Sequence, residues 1–176
     1  QEYFHTCSNY LAYSNNLLVV RNIGSDAKNA VVGDSDAGTV ANVNNADDYD
    51  TDTFTDQLFV AKYPGELGNS LKVQVIDSDG WADATVNATF KAKFDRAPGT
   101  SNDVANANGW DGVEANRPGR GDEMNVIVID EDGLWTGEPG QVLGKFAFVS
   151  KASDAKKIDG SSNYIKTVLR NESRCV

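Results

Sequence analysis

Apolar positions near the start of the chain recur at helical spacing. Tyr3, Cys7, Tyr10 and Leu11 stand at i, i+4, i+7 and i+8, which predicts a helix over residues 2–14 with one apolar face. Asn15-Asn16 ends it, because Asn tolerates the left-handed conformation of a helix terminus. Leu17-Leu18-Val19-Val20-Arg21 is a short apolar, partly β-branched run and predicts a buried strand. From residue 23 to residue 55 the pattern dissolves into Asp, Asn, Ala, Gly, Ser and Thr, with Val31, Val32 and Val40 as isolated apolar points. Such a stretch predicts a mobile loop or a weak hairpin, an excursion between two ordered parts whose removal leaves folding intact.

Order resumes at Leu58-Phe59-Val60-Ala61-Lys62, and Pro64-Gly65 is a strong turn signal. Residues 71–77 read as a strand with Leu71, Val73 and Val75 on one side and Ile76 on the other. Residues 84–94 alternate most regularly. Val86, Ala88, Phe90, Ala92 and Phe94 fall on one face and Thr85, Asn87, Thr89, Lys91 and Lys93 on the other, predicting a strand with one packed and one wet side. Residues 97–122, rich in Gly, Asn and Pro, predict a long loop carrying Trp110. The run from Met124 to Asp130 predicts a strand buried on both faces. Lys145 to Val149 predicts another, with Phe146 and Phe148 inward, and Tyr164 to Arg170 a helix capped by Asn163 with Ile165, Val168 and Leu169 as its stripe.

These elements predict an α+β fold: a mostly antiparallel β-sheet or small two-layer β-sandwich flanked by short helices. Residues 1–24 form a helix-turn-strand entry segment, 25–57 an acidic flexible insertion, and 58–176 a β-rich domain that includes the entry segment. The chain opens on Gln1 and closes on Arg174-Cys175-Val176, which reads as the start of a further strand, so a piece of a longer protein is expected. Its 176 residues are enough for one domain with a real core.

Charge narrows the functional classes. The net charge is −10, and the window from Ser25 to Gln57 carries most of it, with Asp26, Asp34, Asp36, Asp47, Asp48, Asp50, Asp52 and Asp56 against Lys28. An acidic surplus repels phosphate backbones and argues against nucleic acid as a partner. No apolar run reaches membrane-spanning length, so no membrane partner is expected either. Two cysteines, Cys7 and Cys175, make neither a disulfide framework nor a zinc site and predict a pair of half-buried or buried thiols.

Chemistry is sparse. His5 is the single histidine, no Ser stands in a nucleophile elbow, and no phosphate-cradling Gly-rich loop is present, so neither catalytic residues nor a cofactor are expected. Asp77 with Asp79, and Asp130 with Glu131 and Asp132, sit beside glycines at strand ends, where turn formation explains them. Asp48, Asp50 and Asp52 match positions one, three and five of a calcium loop, but Thr53 and Phe59 stand where Gly and Glu are required. An irregular calcium site, and with it a calcium-dependent extracellular β-sandwich binding module, is the alternative reading. Arg120-Gly121-Asp122 arises often by chance and carries no weight.

Three stretches resemble one family, the contractile tail sheath proteins of myovirus-type bacteriophages. The first is Tyr3 to Arg21; the second contains Tyr63, Pro64, Gly65, Glu66, Leu67, Gly68 and Asn69, similar to the family's turn before a strand. The third runs from Val128 to Val176, through Asp130, Glu131, Asp132 and Gly133, then Thr136 and Gly137, Pro139 and Gly140, to the helix after Tyr164. The resemblance implies a structural subunit, no enzyme and no cofactor. Such a subunit self-assembles in six-fold helical rings around a tail tube above a baseplate and contracts to drive the tube through the host envelope. It implies a virion location, a middle domain of the full protein, and a monomer for this part alone. The sheath of a related contractile injection system fits the same residues.

Overall fold

In a computed structural model, residues 2–20, 22–24, 26–33, 41–52, 54, 57–83, 88–99, 101 and 121–176 are described. They run in the order α1 (Glu2–Leu11), β1 (Val31–Gly33), α2 (Ala46–Thr51), β2 (Gln57–Val60), a 3-10 turn (Glu66–Ser70), β3 (Leu71–Ile76), α3 (Ser78–Ala82), α4 (Ala88–Lys91), β4 (Glu123–Asp130), β5 (Gln141–Ser150) and α5 (Ile165–Glu172). β3, β4 and β5 form an antiparallel sheet with β4 in the middle, and β1 pairs with β2 in a second antiparallel sheet. The fold is a small α+β fold.

β4 is buried along its whole length, as its near-continuous apolar run requires. Its alternation divides the core in two. Met124, Val126 and Val128 face a cluster with Phe146, Val149, Val168, Leu169 and Cys175, joined by Phe59, Leu71 and Val73. Ile127 and Ile129 face Ile76 and Phe94, with Trp81 and Phe90 against them. Each such side chain contributes about 1.5–3 kcal/mol when fully withdrawn from water, so the strand's two faces hold most of the stabilising burial. α5 lays Ile165, Val168 and Leu169 on the first face, as the periodicity predicts. Lys62 Nζ donates to the Arg170 and Ser173 carbonyls at its C-terminal end, satisfying groups the helix leaves open.

The alternating stretch 84–94 is not a strand. Residues 84–87 lie outside the described residues, and Ala88–Lys91 is a helix followed by turns. Phe90 and Phe94 are four residues apart, a spacing that keeps one face in a helix as well as in a strand. Both still pack beneath the sheet. Lys91 Nζ donates to the Trp81 and Asp83 carbonyls, both at 2.6 Å, which holds α4 against α3.

Residues 17–20 also form no strand. Leu18, Val19 and Val20 are 86%, 66% and 80% exposed, and no strand pairs with them among the described residues. An apolar run becomes a strand only where a ladder partner meets its backbone. α1 forms where the spacing predicts it, but none of its residues is buried.

In 25–57, β1 pairs Val31 with Val60 and Val32 with Phe59. Asn29, Ala41 and Val43 are buried, and Asn29 acts as a clamp: its side chain donates to the Val43 and Ala61 carbonyls and accepts from Val43 N–H. Val40, Asp34, Asp36 and Asp56 lie outside the described residues, as does most of the loop with Trp110 and Arg120.

β5 is longer than its apolar pattern predicts and carries a bulge, since Val126 opposes Phe146 while Met124 opposes Val149. The extra residue turns Phe148 out of the core at φ 56. Its N–H donates to Asn125 Oδ1 and its carbonyl accepts from Asn163 Nδ2, at 2.9 and 2.8 Å, and the Arg96 guanidinium lies 3.8 Å from its ring centroid. Asn163 is therefore occupied in tying β5 down, and Tyr164 stands at the cap of α5 without a side-chain bond. The terminal Cys175 carbonyl accepts from Lys62 N–H at 2.8 Å, but no strand forms there.

Candidate functional site

The turn from Tyr63 to Asn69 and the turn from Asp130 to Gly140 meet at one end of the main sheet. Gly65, at φ 117, opens the 3-10 turn, and its N–H donates to the Lys28 carbonyl at 2.9 Å. A Cβ on Gly68 would stand 2.8 Å from Ala30 Cβ and 3.0 Å from Ala61 Cβ, so this turn passes directly against β1 and β2. The turn delivers Ser70, fully buried, beside the end of β4, where Leu71 pairs with Asp130.

Ser70 and Asp130 form the centre of a knot. Ser70 Oγ donates to Asp130 Oδ1 at 2.5 Å and accepts from the N–H groups of Asp132 and Leu134. Asp130 Oδ2 accepts from Trp135 N–H at 3.0 Å, Thr136 N–H at 2.8 Å and the Thr136 hydroxyl at 2.9 Å. The main chain closes around it, with Glu131 N–H donating to the Ser70 carbonyl at 2.7 Å and Gly140 N–H to the Asp130 carbonyl at 2.6 Å. Gly133 sits at φ 79, and a Cβ there would meet Pro139 N at 2.8 Å, so only glycine fits. Trp135 links back to the first turn through its indole N–H on the Leu67 carbonyl at 2.8 Å, its ring 6.4 Å from that of Tyr63.

Burial of the Asp130 carboxyl works against its charge. The Ser70 hydroxyl, the Thr136 N–H and hydroxyl and the Trp135 N–H outweigh it and bring the pKa down to about 2. Its side chain is fully buried and both its oxygens are covered by donors. A carboxylate ionised so far below neutrality cannot deliver a proton, and one enclosed by donors cannot attack a substrate. The knot shapes the two turns.

The remaining acids are dispersed. Asp77 caps α3, accepting from Gly80 N–H at 2.8 Å, and lies 3.4 Å from Lys151; the Gly80 bond is the main cause of its lowered pKa. Glu131 pairs with Lys72 at 2.5 Å, while Asp79 and Asp132 are exposed. Asp48 Oδ2 accepts from Asn44 N–H at the start of α2, Asp50 is held by Arg170 at 2.6 Å, and Asp52 closes the helix. Asp50 is turned to the opposite side of the helix from Asp48 and is taken by Arg170, so the three do not converge. Among the described residues no group of three His, Cys, Asp or Glu is placed to hold a metal ion, and no helix is long and apolar enough to cross a membrane. His5 is exposed on α1 beside Phe4. Cys7 is half-buried and Cys175 buried, both as free thiols, and burial pushes the Cys175 thiol up.

A second buried polar cluster, not anticipated from the sequence, closes the other end of β4. Asp122 accepts from Ser101 N–H and hydroxyl at 2.8 and 2.6 Å and from the Ser150 hydroxyl at 2.6 Å. Glu123 accepts from Gly99 N–H and Arg96 at 2.9 and 3.1 Å. Asp122 is thus enclosed. Ser70 and Asn29 also escape sequence reading, because a lone Ser or Asn between elements carries no spacing. Thr136 stands in the third resembling stretch, six residues after Asp130 in a glycine-punctuated turn, and that pattern was the available signal. Set against known proteins, the chain matches no family model, no curated protein and no solved structure.

Proposed function

We propose that this chain is the structural part of a subunit that assembles into a phage contractile tail sheath, or into the sheath of a related contractile injection system. In that role it stacks with further copies in a six-fold helical array around a tube, above a baseplate, within the virion tail, and delivers stored packing energy when the array contracts. It holds no cofactor and performs no reaction of its own.

One observation supports the reading above the others. The two turns that bear the resemblance are joined by a single buried hydroxyl–carboxylate knot, Ser70 to Asp130, so their side chains serve shape rather than chemistry. Subunit surfaces that must slide are polar and weakly bonded, because a large apolar interface would lock them.

Electron microscopy of the full-length gene product tests the proposal. Striated tubular polymers are the expected outcome. A soluble particle that never polymerises and turns over a small compound would end it.

A further inference from the structure

The knot fixes its two turns but leaves an apolar face turned to solvent. Tyr63 and Leu67 are each 48% exposed and Leu134 is 54% exposed. Trp135 lies half-buried between the turns, against Tyr63 and under the Leu67 carbonyl. Tyr and Trp are the residues that anchor protein contacts, and Trp135, already held by its indole hydrogen bond to the Leu67 carbonyl, loses little freedom when covered. Glu66 adjoins Leu67, and Asp132 lies in the turn that presents Leu134; both acids are exposed, and neither has a cationic partner among the described residues.

The same chain carries the matching chemistry elsewhere. Ile158 is 105% exposed, the highest value among the large apolar side chains described. It stands at the tip of a tight turn in which Lys157 N–H donates to the Ser161 carbonyl at 2.8 Å and Gly160 N–H to the Lys157 carbonyl at 2.9 Å. Lys156 bridges Ser162 across the turn, so the tip is a braced knob. The charges around it are sorted. Asp159 is turned back onto Ser161, and Lys157 is held by Glu172 at 2.5 Å. That leaves Lys156, exposed and without an ion pair among the described residues, as the cation beside Ile158.

We infer that the Ile158 knob of one copy docks on the Tyr63–Leu67–Leu134–Trp135 patch of a second copy, with Lys156 facing Glu66 and Asp132. The contact is heterologous: every copy offers one knob and one patch, so copies join head to tail into a ring or an open chain. One aliphatic side chain and one cation cover far less than the roughly 1,000 Å² of a stable interface. The contact is therefore weak, with a dissociation constant on the order of 1 mM, and the chain is a monomer at micromolar concentration. Weakness suits a contact that is made many times over and must break when an array rearranges. This inference names one contact for the assembly proposed above, but its test is independent of that reading.

Amide NMR spectra of the chain, recorded from tens of micromolar to about 1 mM, give the test. Residues 63–67, 132–136 and 156–160 are expected to shift together as concentration rises. Ile158→Asp and Leu134→Asp each abolish the effect while keeping folded, dispersed spectra. Labelled Leu134→Asp chain, whose knob is intact, then regains shifts at 156–160 when unlabelled Ile158→Asp chain, whose patch is intact, is added. Glu66→Lys, a surface change that leaves the core alone, weakens association several-fold, and adding Lys156→Glu in the same chain restores it. Three results overturn the contact: wild-type spectra that do not change up to about 1 mM, Ile158→Asp chain that associates like wild type, or folded variants that stay silent when mixed. In the full-length product, normal tubes with Ile158→Asp remove the contact and leave the sheath reading standing. A wild-type product that shows the NMR contact but never forms tubes does the reverse.

Discussion

Asn29→Ala asks whether the acidic part of the chain belongs to the folded body. The Asn29 side chain donates to the Ala61 and Val43 carbonyls at 2.7 and 3.0 Å and accepts from Val43 N–H at 2.8 Å, while only 4% of the residue is exposed. Alanine removes all three bonds and leaves buried main-chain groups with no water to replace the amide. At about 1 kcal/mol for each bond, the loss is about 3 kcal/mol, and stranded groups push it upward. With a urea slope of about 1–3 kcal/mol per molar, the unfolding midpoint falls by about 1–3 M at unchanged slope. For a chain of this length the melting temperature drops by about 6–12 °C. Asn29→Asp supplies a second readout. It keeps the acceptor for Val43 N–H but sets a carboxylate against two carbonyls, which raises its pKa when folded. Its deficit therefore shrinks as pH falls and the group becomes a donor again. Urea melts of the three proteins, repeated across pH, check both statements. A midpoint shift within about 0.2 M for Asn29→Ala would show that residues 41–43 are not docked on the body and that the clamp is not part of the fold.

Other outcomes follow from the same geometry. The folded pKa of Asp130 is about 2 against an ordinary 3.8, so its stabilisation is fully present above the ordinary value and disappears as pH falls through about 2. Circular dichroism during acid titration should show that loss in the wild type and not in Asp130→Asn, which starts less stable at neutral pH. Phe148 sits at φ 56, so Phe148→Val, β-branched in the left-handed region, should destabilise more than Phe148→Gly, although glycine removes more side chain; the opposite order in chemical denaturation would show that strain is not held there. Gly68→Ala should lose about 1–3 kcal/mol by driving a methyl onto Ala30 and Ala61, measured by the urea midpoint. Calorimetric titration with calcium should show no tight binding and no rise in melting temperature, since Asp48, Asp50 and Asp52 do not converge; tight binding would favour the extracellular β-module.

Sequence reading succeeded where burial alone decides the element. Met124 to Asp130 forms the strand covered on both faces that its apolar run predicts, and Ile165, Val168 and Leu169 form the predicted helix face. It failed where two conformations satisfy one pattern. Phe90 and Phe94 share a face in helix and strand alike, and the contacts of Lys91 with α3 settle the matter in three dimensions. It failed again where the ladder partner was missing, as at residues 17–20, and where a bulge reversed the alternation at Phe148. The acidic stretch misleads for another reason: composition averages over residues, whereas Asn29, Ala41 and Val43 act individually. The knot was half legible, because its glycines and Asp130 mark a turn, while the donors Ser70 and Trp135 become partners only when remote segments meet. Removing residues 25–55 now carries a different expectation from the one composition gives, since it takes away the Asn29 clamp and the strand that pairs with β2.

The two buried acids that bracket β4 also constrain the order in which the molecule can mature. Asp130 draws a donor from 60 positions upstream, and Asp122 draws one from 28 positions downstream. During synthesis the hydrophobic middle of β4 thus emerges with Ser101 already able to donate to Asp122 but before Ser150 is, so collapse of a half-made chain would bury that carboxylate short of one donor. The ends of this strand therefore tie its burial to distant parts of the chain, and a polypeptide clipped before Ser150, which lacks that donor and the core side chains Val168, Leu169 and Cys175, should be strongly destabilised.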